Sequence, residues 1–240
     1  MDGTQDSQQP PANRIPLHTS TSLRVAALLT IANGFIDAYT FLAYGGVFAN
    51  AQTGNVVLFG VGLARSDVAK PLAHLWPILA FIAGIAAARA LKTSAAEAHL
   101  RYPLRYALVL QIIVLIVIAM LPETTPQWAI TTTIGFVSAL QLSLFRTVRS
   151  ATFVTIAMTG NLMRTTEALQ DAVRGGESER RLAGLYVTLV VGFAAGAVVG
   201  ALITSQLDTR AAWIPAALIA LALGQFFLDD LHYRRVFAST

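Results

Sequence analysis

Polar side chains interrupt an apolar stretch of the sequence, GGVFANAQTGNVVLFG at residues 45–60. The amides and the hydroxyl in its middle belong to Asn50, Gln52, Thr53 and Asn55. Backbone at membrane depth must be hydrogen-bonded, so a non-helical stretch is stable there only inside a protein or beside a wet cavity. We therefore predict extended or turned chain over Ala49–Gly54. A helix is expected to begin around Thr53–Asn55 and to run to Ala64.

The tripeptide Thr-Gly-Asn, formed here by Thr53, Gly54 and Asn55, occurs a second time in the chain. The second copy and the basic residue that follows it are Thr159, Gly160, Asn161 and Arg164. Each copy predicts a helix start, with Thr53 or Asn55 as the first helix's N-cap. Both glycines are expected to need a positive φ or a close backbone approach.

Two helix N-termini that enter from opposite faces would each carry about +0.5 of a charge. This geometry favours a small anion or polar solute where they meet. The substrate-binding residues predicted on this basis are Asn33, Asp37, Asn50, Gln52, Thr53, Gly54, Asn55, Thr159, Gly160, Asn161 and Arg164. The alternative is that these amides and hydroxyls satisfy one another as packing contacts between helices.

Asp37 is a carboxylate well inside an apolar run, where insertion costs about 2.5 kcal/mol or more. Such a group is by default a functional candidate. Asn33 lies one turn earlier on the same helical face and could share its partner. Ser138 aligns with Asp37 in the second half of the chain, so the halves differ chemically. A structural Asp, hydrogen-bonded to a neighbouring helix or to the Thr-Gly-Asn turn, is the alternative.

The composition indicates a membrane protein. The chain has 240 residues, of which 55% are apolar and 12% charged, whereas soluble domains average about 25% charged residues. The basic residues lie between apolar runs, as the positive-inside rule predicts, so the sequence pI of 9.8 does not indicate nucleic-acid binding. The absence of Cys excludes disulfides, thiolate catalysis and cysteine metal sites.

Six apolar runs are long enough to cross about 30 Å of hydrocarbon. They are approximately Val25–Tyr44, Leu72–Ala90, Leu104–Leu121, Trp128–Phe145, Leu185–Ile203 and Ala211–Leu228. Two weaker segments, Val47–Ala64 and Phe153–Met163, contain the Thr-Gly-Asn copies. With six spans and a cytoplasmic N-terminus, most of the 17 Lys and Arg residues lie inside. Eight spans would place 10 inside and 7 outside, so we predict six, with both termini cytoplasmic.

Weak internal similarity indicates two units of inverted topology, about 23–121 and 127–229. GFIDAYTF at residue 34 matches GFVSALQL at 135, and FIAG at 81–84 matches FAAG at 193–196. Each unit would contain three spans and one broken or re-entrant Thr-Gly-Asn segment. The fold class predicted is thus an all-α membrane protein with six transmembrane helices. Residues 1–22 are expected to be a disordered tail, 23–230 one membrane domain, and 231–240 a short tail.

The run GFIDAYTF followed by GGVFANAQTGN resembles the signature of the YoaK family of bacterial multi-pass membrane proteins. The similarity covers about residues 20–230 and implies six spans in a bacterial inner membrane. It implies no substrate or activity. Gly192, Gly196 and Gly200 form a GxxxGxxxG pattern that predicts close helix packing, within the chain or in a homo-oligomer.

Three functions follow from these features. The inverted units, the paired broken segments and the buried acid favour a small secondary transporter or permease for a small polar or anionic solute. A non-transporting assembly or sensor subunit is the alternative. An enzyme is not expected, because the four histidines (His18, His74, His99 and His232) lie in the predicted tail, in loops or at span boundaries and no metal-ligand cluster is visible. No cofactor is predicted, and the expected partners are the lipid bilayer and an unidentified small solute.

Overall fold

The structure is a computed structural model that describes residues 23–65, 69–92, 103–145, 147–148, 151–152 and 158–237. The helices are α1 Leu23–Ala43, α2 Gln52–Ala64, α3 Ala69–Ala90, α4 Pro103–Met120, α5 Gln127–Leu144, α6 Met158–Arg174, α7 Glu177–Leu207 and α8 Trp213–Phe237. A 3₁₀ turn, Asp208–Ala212, joins α7 to α8. Two-residue strands, β1 Thr147–Val148 and β2 Ala151–Thr152, pair antiparallel.

Four helical stretches of the described chain are long and apolar enough to cross a membrane. They are Leu23–Ala43, Pro71–Ala90, Pro103–Met120 and the continuous stretch Glu177–Leu228. A span needs about 20 apolar helical residues. The protein is therefore a helical membrane protein. Helix α5 has 18 residues but does not belong to this set, and it carries three consecutive threonines.

Helices occur at all six predicted apolar runs, with ends that differ by a few residues except in α7 and α8. Helix α7 is longer at both ends because the polar segment before it is also helical. Helix α8 continues to Phe237, so most of the expected C-terminal tail is helical. The predicted tail over residues 1–22 lies outside the described residues.

Two helix pairs have the most extensive packing, α1 with α7 and α3 with α5. Helix α2 packs on α3, and α6 packs on α7. Helix α8 contacts α1 and α4, while α4 also contacts α5. The core at these contacts is aliphatic and aromatic, and its fully buried members include Leu29, Phe35, Leu115, Ile134 and Leu189.

The contact between α1 and α7 depends on small residues. A Cβ added at Gly196 would collide with the Ile31 carbonyl, and one at Gly200 would lie 2.8 Å from the Phe35 carbonyl oxygen. Both contacts advance by four residues, so the two helices run in the same direction. Glycine at these positions lets the backbones approach closely, which supplies van der Waals packing where lipid gives no hydrophobic driving force. The glycine pattern is thus accounted for within one chain, and a homo-oligomer through it stays a prediction.

Helices α3 and α5 also run parallel. The rings of Trp76 and Trp128, near the two helix starts, have centroids 6.3 Å apart. Beyond the end of α3, the Lys92 ammonium donates a 2.6 Å hydrogen bond to the Ser143 carbonyl near the end of α5. A Cβ added at Gly84 would lie 2.5 Å from the Phe136 carbonyl oxygen. Close backbone packing therefore holds this pair as well.

One end of the bundle collects the ends of α1, α4 and α7 and the starts of α5 and α8. A cavity of about 150 Å³ at this end is lined by Tyr44, Pro122, Gln127 and Thr209, among others. The Tyr39 hydroxyl lies 2.7 Å from the Tyr44 hydroxyl and donates a 2.9 Å hydrogen bond to the Thr209 carbonyl. These bonds fasten the 3₁₀ turn to α1. Because α7 and α8 both pack on α1, the chain reverses at this turn.

The chain also reverses after α1. Gly45 and Gly46 have φ values of 68° and 79°, in the left-handed region that side chains with a Cβ adopt only at a cost. Residues 47–51 then run back along α1 without helix or strand, with a bend at Ala49 and Asn50. Helix α2 begins at Gln52, beside the middle of α1, and ends at Ala64 as predicted. The predicted non-helical chain is thus confirmed for residues 49–51, whereas residues 52–54 already belong to the helix.

Candidate functional site

A cavity of about 640 Å³ lies where α1, α3, α5 and α7 meet the first turns of α2 and α6. Its polar lining comes from Asp37, Asn50, Gln52, Thr53 and Thr159. Five of the predicted substrate-binding residues thus share one cavity, and they come from both halves of the chain.

The returning segment is hydrogen-bonded to side chains of α1. The backbone N–H of Ala49 donates to the Thr40 hydroxyl at 3.1 Å, and that of Asn50 donates to the Asp37 carboxylate at 2.9 Å. The Ala51 N–H is a second partner of this carboxylate. Asp37 and Thr40 therefore satisfy backbone groups that a non-helical segment inside a bundle would otherwise leave unpaired.

Asn55 binds the same segment from the other side. Its Oδ1 accepts the Phe48 N–H at 3.1 Å, and its Nδ2 donates to the Phe48 carbonyl at 2.6 Å. One side-chain amide thereby makes the two hydrogen bonds that a neighbouring strand would make in a β-sheet. The expected capping role is wrong, because the N-cap is Ala51 and no side chain caps the helix. Thr53 lies one residue inside the helix and faces the cavity.

Two buried amides next to Asp37 have unused hydrogen-bonding groups. Asn50 Nδ2 donates to the Asn33 carbonyl at 3.3 Å and lies 3.5 Å from Asn33 Oδ1. Asn50 Oδ1 and Asn33 Nδ2 have no hydrogen-bond partner among the described residues, although both side chains are buried. An unpaired buried polar group costs about 1–3 kcal/mol. No described group offsets this cost by a hydrogen bond to either atom.

Comparison with known proteins identifies the family. A family model described as "Protein of unknown function (DUF1275)" matches residues 25–224. The chain belongs to the DUF1275 family. The resemblance to the YoaK family is thereby confirmed, since that family is a DUF1275 family. The match runs from α1 into α8 and includes both Thr-Gly-Asn segments. Searches of curated proteins and of solved structures gave no match.

Six predicted site residues of this DUF1275 protein do not line the cavity: Asn33, Gly54, Asn55, Gly160, Asn161 and Arg164. Asn33 and Asn55 instead support residues that do. Asn161, the counterpart of Asn55, is also fully buried. The Arg164 guanidinium lies beside the first turn of α6, where a Cβ on Gly160 would be 3.4 Å from Nη1.

The sequence predicts a positive φ or a close backbone approach at Gly54 and Gly160. Among the described glycines, positive φ occurs at Gly45 and Gly46. A Cβ on Gly54 would lie 2.9 Å from the Phe48 ring, so the close approach there is to a side chain, whereas a Cβ on Gly160 would lie 3.4 Å from Arg164 Nη1. The prediction is therefore wrong for Gly160, and Gly54 has a close contact without a positive φ.

Phenylalanines that no sequence pattern singled out form the apolar walls of the cavity. They are Phe41, Phe48, Phe81 and Phe193. Phe81 and Phe193 are the first residues of the FIAG and FAAG segments. Phe41 and Phe48 stack with ring centroids 4.8 Å apart. No spacing rule distinguishes such residues from lipid-facing ones in an apolar helix.

His74 also differs from expectation. It was assigned to a span boundary, yet it is buried in α3, with Nδ1 3.4 Å from Asn55 Oδ1. It does not line the large cavity. In this DUF1275 protein it therefore supports the amide that holds the returning segment. Within the described ranges, no group of three or more His, Cys, Asp or Glu side chains could hold a metal ion.

Proposed function

We propose that this protein is a small secondary transporter or permease for a small polar or anionic solute. The observation that carries the proposal is the shared cavity. Thr53 and Thr159, each in the first turn of a helix that begins at a Thr-Gly-Asn segment, line the same space. Transport sites in membranes commonly lie where broken helices from two repeats meet, because half-helix N-termini and freed backbone groups can bind a solute there.

Six spans are part of the proposal. The apolar stretch Glu177–Leu228 has 52 residues, which as one helix would measure about 78 Å, more than twice the hydrocarbon thickness. The reversal at the 3₁₀ turn divides it into two crossings. Helix α5 is the sixth span, since it runs parallel to α3 along its length. Helix directions then alternate regularly through α1, α3, α4, α5, α7 and α8.

The helix contacts support two inverted repeats. Exchanging α1 with α5, α2 with α6, α3 with α7 and α4 with α8 maps each principal contact onto another. The α1–α7 pair becomes α5–α3, α2–α3 becomes α6–α7, and α1–α8 becomes α5–α4. Helices α1, α4 and α7 end where α5 and α8 begin, so equivalent helices run in opposite directions. Three spans per unit are expected to produce this inversion.

Backbone contacts support one register for the two proposed repeats. A Cβ at Gly34 would meet the Phe193 carbonyl, and one at Gly135 would lie 3.4 Å from the Pro77 carbonyl oxygen. Gly200 lies seven residues after Phe193, and a Cβ there would meet the Phe35 carbonyl. Gly84 lies seven residues after Pro77, and a Cβ there would meet the Phe136 carbonyl. Gly84 therefore corresponds to Gly200, whereas the match of FIAG to FAAG aligns it with Gly196. The sequence match is displaced by one helical turn.

Both Thr-Gly-Asn segments are re-entrant in this proposal, and the geometry of the first supports it. Residues 47–51 descend beside α1 to the level of Asp37, and α2 returns to the start of α3, where a Cβ at Gly62 would lie 2.8 Å from the Pro71 ring. Helix α2 has 13 residues and measures about 20 Å. This is too short to cross the hydrocarbon core, which is about 30 Å thick.

Uptake by purified protein in liposomes tests the function. We expect concentration-dependent uptake of at least one labelled solute from a panel of small anions, amino acids, nucleobases and metal ions. Protein-free liposomes and the boiled protein are the controls. No uptake of any class, with correctly oriented and folded protein, would favour the assembly or sensor subunit instead.

Asp37→Asn tests whether the acid couples transport to a proton or another cation. No described Lys or Arg forms an ion pair with Asp37, and its partners are backbone N–H groups. The substitution keeps the side-chain shape and fixes it uncharged, so the protein should fold but lose pH- or gradient-dependent uptake. The control is Thr204→Val, at a buried hydroxyl away from the cavity. Wild-type pH dependence in Asp37→Asn would leave Asp37 with a structural role only.

A further inference from the structure

The two helix ends at the cavity are electrostatically unequal. The N-terminus of α2, about +0.5 of a charge, faces the Asp37 carboxylate, so this end is negative on balance. Helix α6 has no acidic residue in its first turn, and the position equivalent to Asp37 is Ser138. Its N-terminus therefore keeps about +0.5 of a charge. The cavity has a negative end at α1 and a positive end at α6.

The negative end offers hydrogen-bond acceptors. Asp37 is a carboxylate, and Asn50, 3% exposed, has an Oδ1 atom without a described partner. Both residues line the cavity. A ligand with several N–H donors, such as an ammonium group, would satisfy this pair. A carboxylate or phosphate would be repelled by Asp37 and would leave Asn50 Oδ1 unpaired.

The positive end offers donors. Met158 and Thr159 line the cavity at the first turn of α6, where backbone N–H groups have no intrahelical partner. The Thr159 hydroxyl adds to this polarity. Such a terminus binds carboxylate or phosphate oxygens. Between the two ends, the four phenylalanines form a wall that suits an apolar or aromatic group.

We propose that the solute is a zwitterionic α-amino acid with an apolar or aromatic side chain. Its ammonium group binds Asp37 and Asn50, its carboxylate binds the first turn of α6, and its side chain packs against Phe81 and Phe193. This inference rests on the proposed transport function for its physiological meaning. The binding chemistry can be measured without transport.

The test compares three ligands that share one phenyl group, using the purified full-length protein in detergent. L-phenylalanine carries both charges, 2-phenylethylamine lacks the carboxylate, and 3-phenylpropanoate lacks the ammonium group. Binding is measured by equilibrium dialysis and by the shift in thermal unfolding temperature. We expect L-phenylalanine to bind at least about tenfold more tightly than either analogue, because each analogue leaves one polar end unpaired. Equal binding of an analogue, or no binding of L-phenylalanine, would overturn the inference.

Asp37→Asn provides an independent readout. It should weaken L-phenylalanine binding at least about tenfold, since the charged partner of the ammonium group is lost, while Thr204→Val binds as the wild type does. Unchanged binding in a folded Asp37→Asn protein would overturn the assignment of the negative end.

Parallel liposome uptake separates this inference from the function on which it rests. Binding of L-phenylalanine without uptake would contradict the transporter and support the site chemistry. Uptake of a different solute class without L-phenylalanine binding would support the transporter and contradict the zwitterion.

Discussion

Asn55 illustrates how one side chain determines local structure in this protein. Its amide presents a donor and an acceptor at the same end, which is what the N–H and carbonyl of Phe48 require. An Asp at this position would lack the donor, and a Thr would lack the reach. The sequence identified Asn55 as important but suggested a helix cap, because capping rules consider only neighbours within one turn. The true partner lies seven residues earlier, across a reversal.

Asn55→Ala should lower the free energy of unfolding by about 1–3 kcal/mol, because both backbone groups of Phe48 lose their partner inside the bundle. The measurement is denaturant or thermal unfolding of the purified protein in detergent. Gln170→Ala, at an exposed position of α6, is the control. Equal stability of the two variants would show that the Asn55 bonds contribute nothing.

The polar residues around Asp37 were predicted to act together, and the structure brings Asp37, Asn50, Gln52 and Thr53 to one cavity. Their types and their spacing across an apolar stretch were sufficient for that. The phenylalanine walls were not predictable, because an apolar side chain that faces a cavity and one that faces lipid look alike in sequence.

The helices pack closely at glycine notches, that is, glycines where a backbone carbonyl of the partner helix occupies the space of a Cβ. GxxxGxxxG at 192–200 predicted close packing, yet it could not name the partner, since α1 lies more than 150 residues away in the chain. Gly84 in α3 was noted only as part of a repeat, although it makes the equivalent contact with α5. The same type of contact occurs in both parallel pairs, α1 with α7 and α3 with α5.

Gly84→Ala and Gly200→Ala should each destabilise the protein by about 1–3 kcal/mol, because the added methyl group forces apart two packed backbones. Gly184→Ala and Gly224→Ala are matched controls within helices, since a Cβ at either position meets nothing within 4 Å. Alanine at these two should be neutral or stabilising by up to about 1 kcal/mol.

Thermal unfolding of the four glycine variants gives the comparison directly. The account predicts that the two notch variants unfold at lower temperature than the two controls. If Gly184→Ala or Gly224→Ala lowered the unfolding temperature as much as Gly200→Ala, close helix approach would not explain these glycines.

For the molecule as a whole, hydropathy located helices at all six apolar runs, because the length and apolarity of a run are local properties of the chain that a bilayer enforces. The proposed register between the halves was not predictable. Four-letter matches such as FIAG and FAAG reflect small residues that recur at every turn of a packed helix. The backbone contacts of the glycines support a register that differs from this match by one turn.

The proposed sidedness can be tested in this Cys-free chain with single cysteines and a membrane-impermeant thiol reagent. Glu123→Cys, between α4 and α5, should be labelled in intact cells because the proposed topology places it outside. Glu177→Cys, at the start of α7, should react only after permeabilisation. The reverse pattern would invert the proposed topology, and labelling of both in intact cells would contradict the alternating spans.

The most direct test of the central claim asks whether the cavity between the two Thr-Gly-Asn helices is the transport path. Thr53→Cys and Thr159→Cys each place a single thiol in its lining, and Thr188→Cys places one on an exposed face of α7. Solute uptake is measured in liposomes before and after reaction with a small charged thiol reagent. The account predicts that reaction at position 53 or 159 abolishes uptake, whereas reaction at 188 leaves it intact. Undiminished uptake after complete modification at 53 and 159 would contradict it.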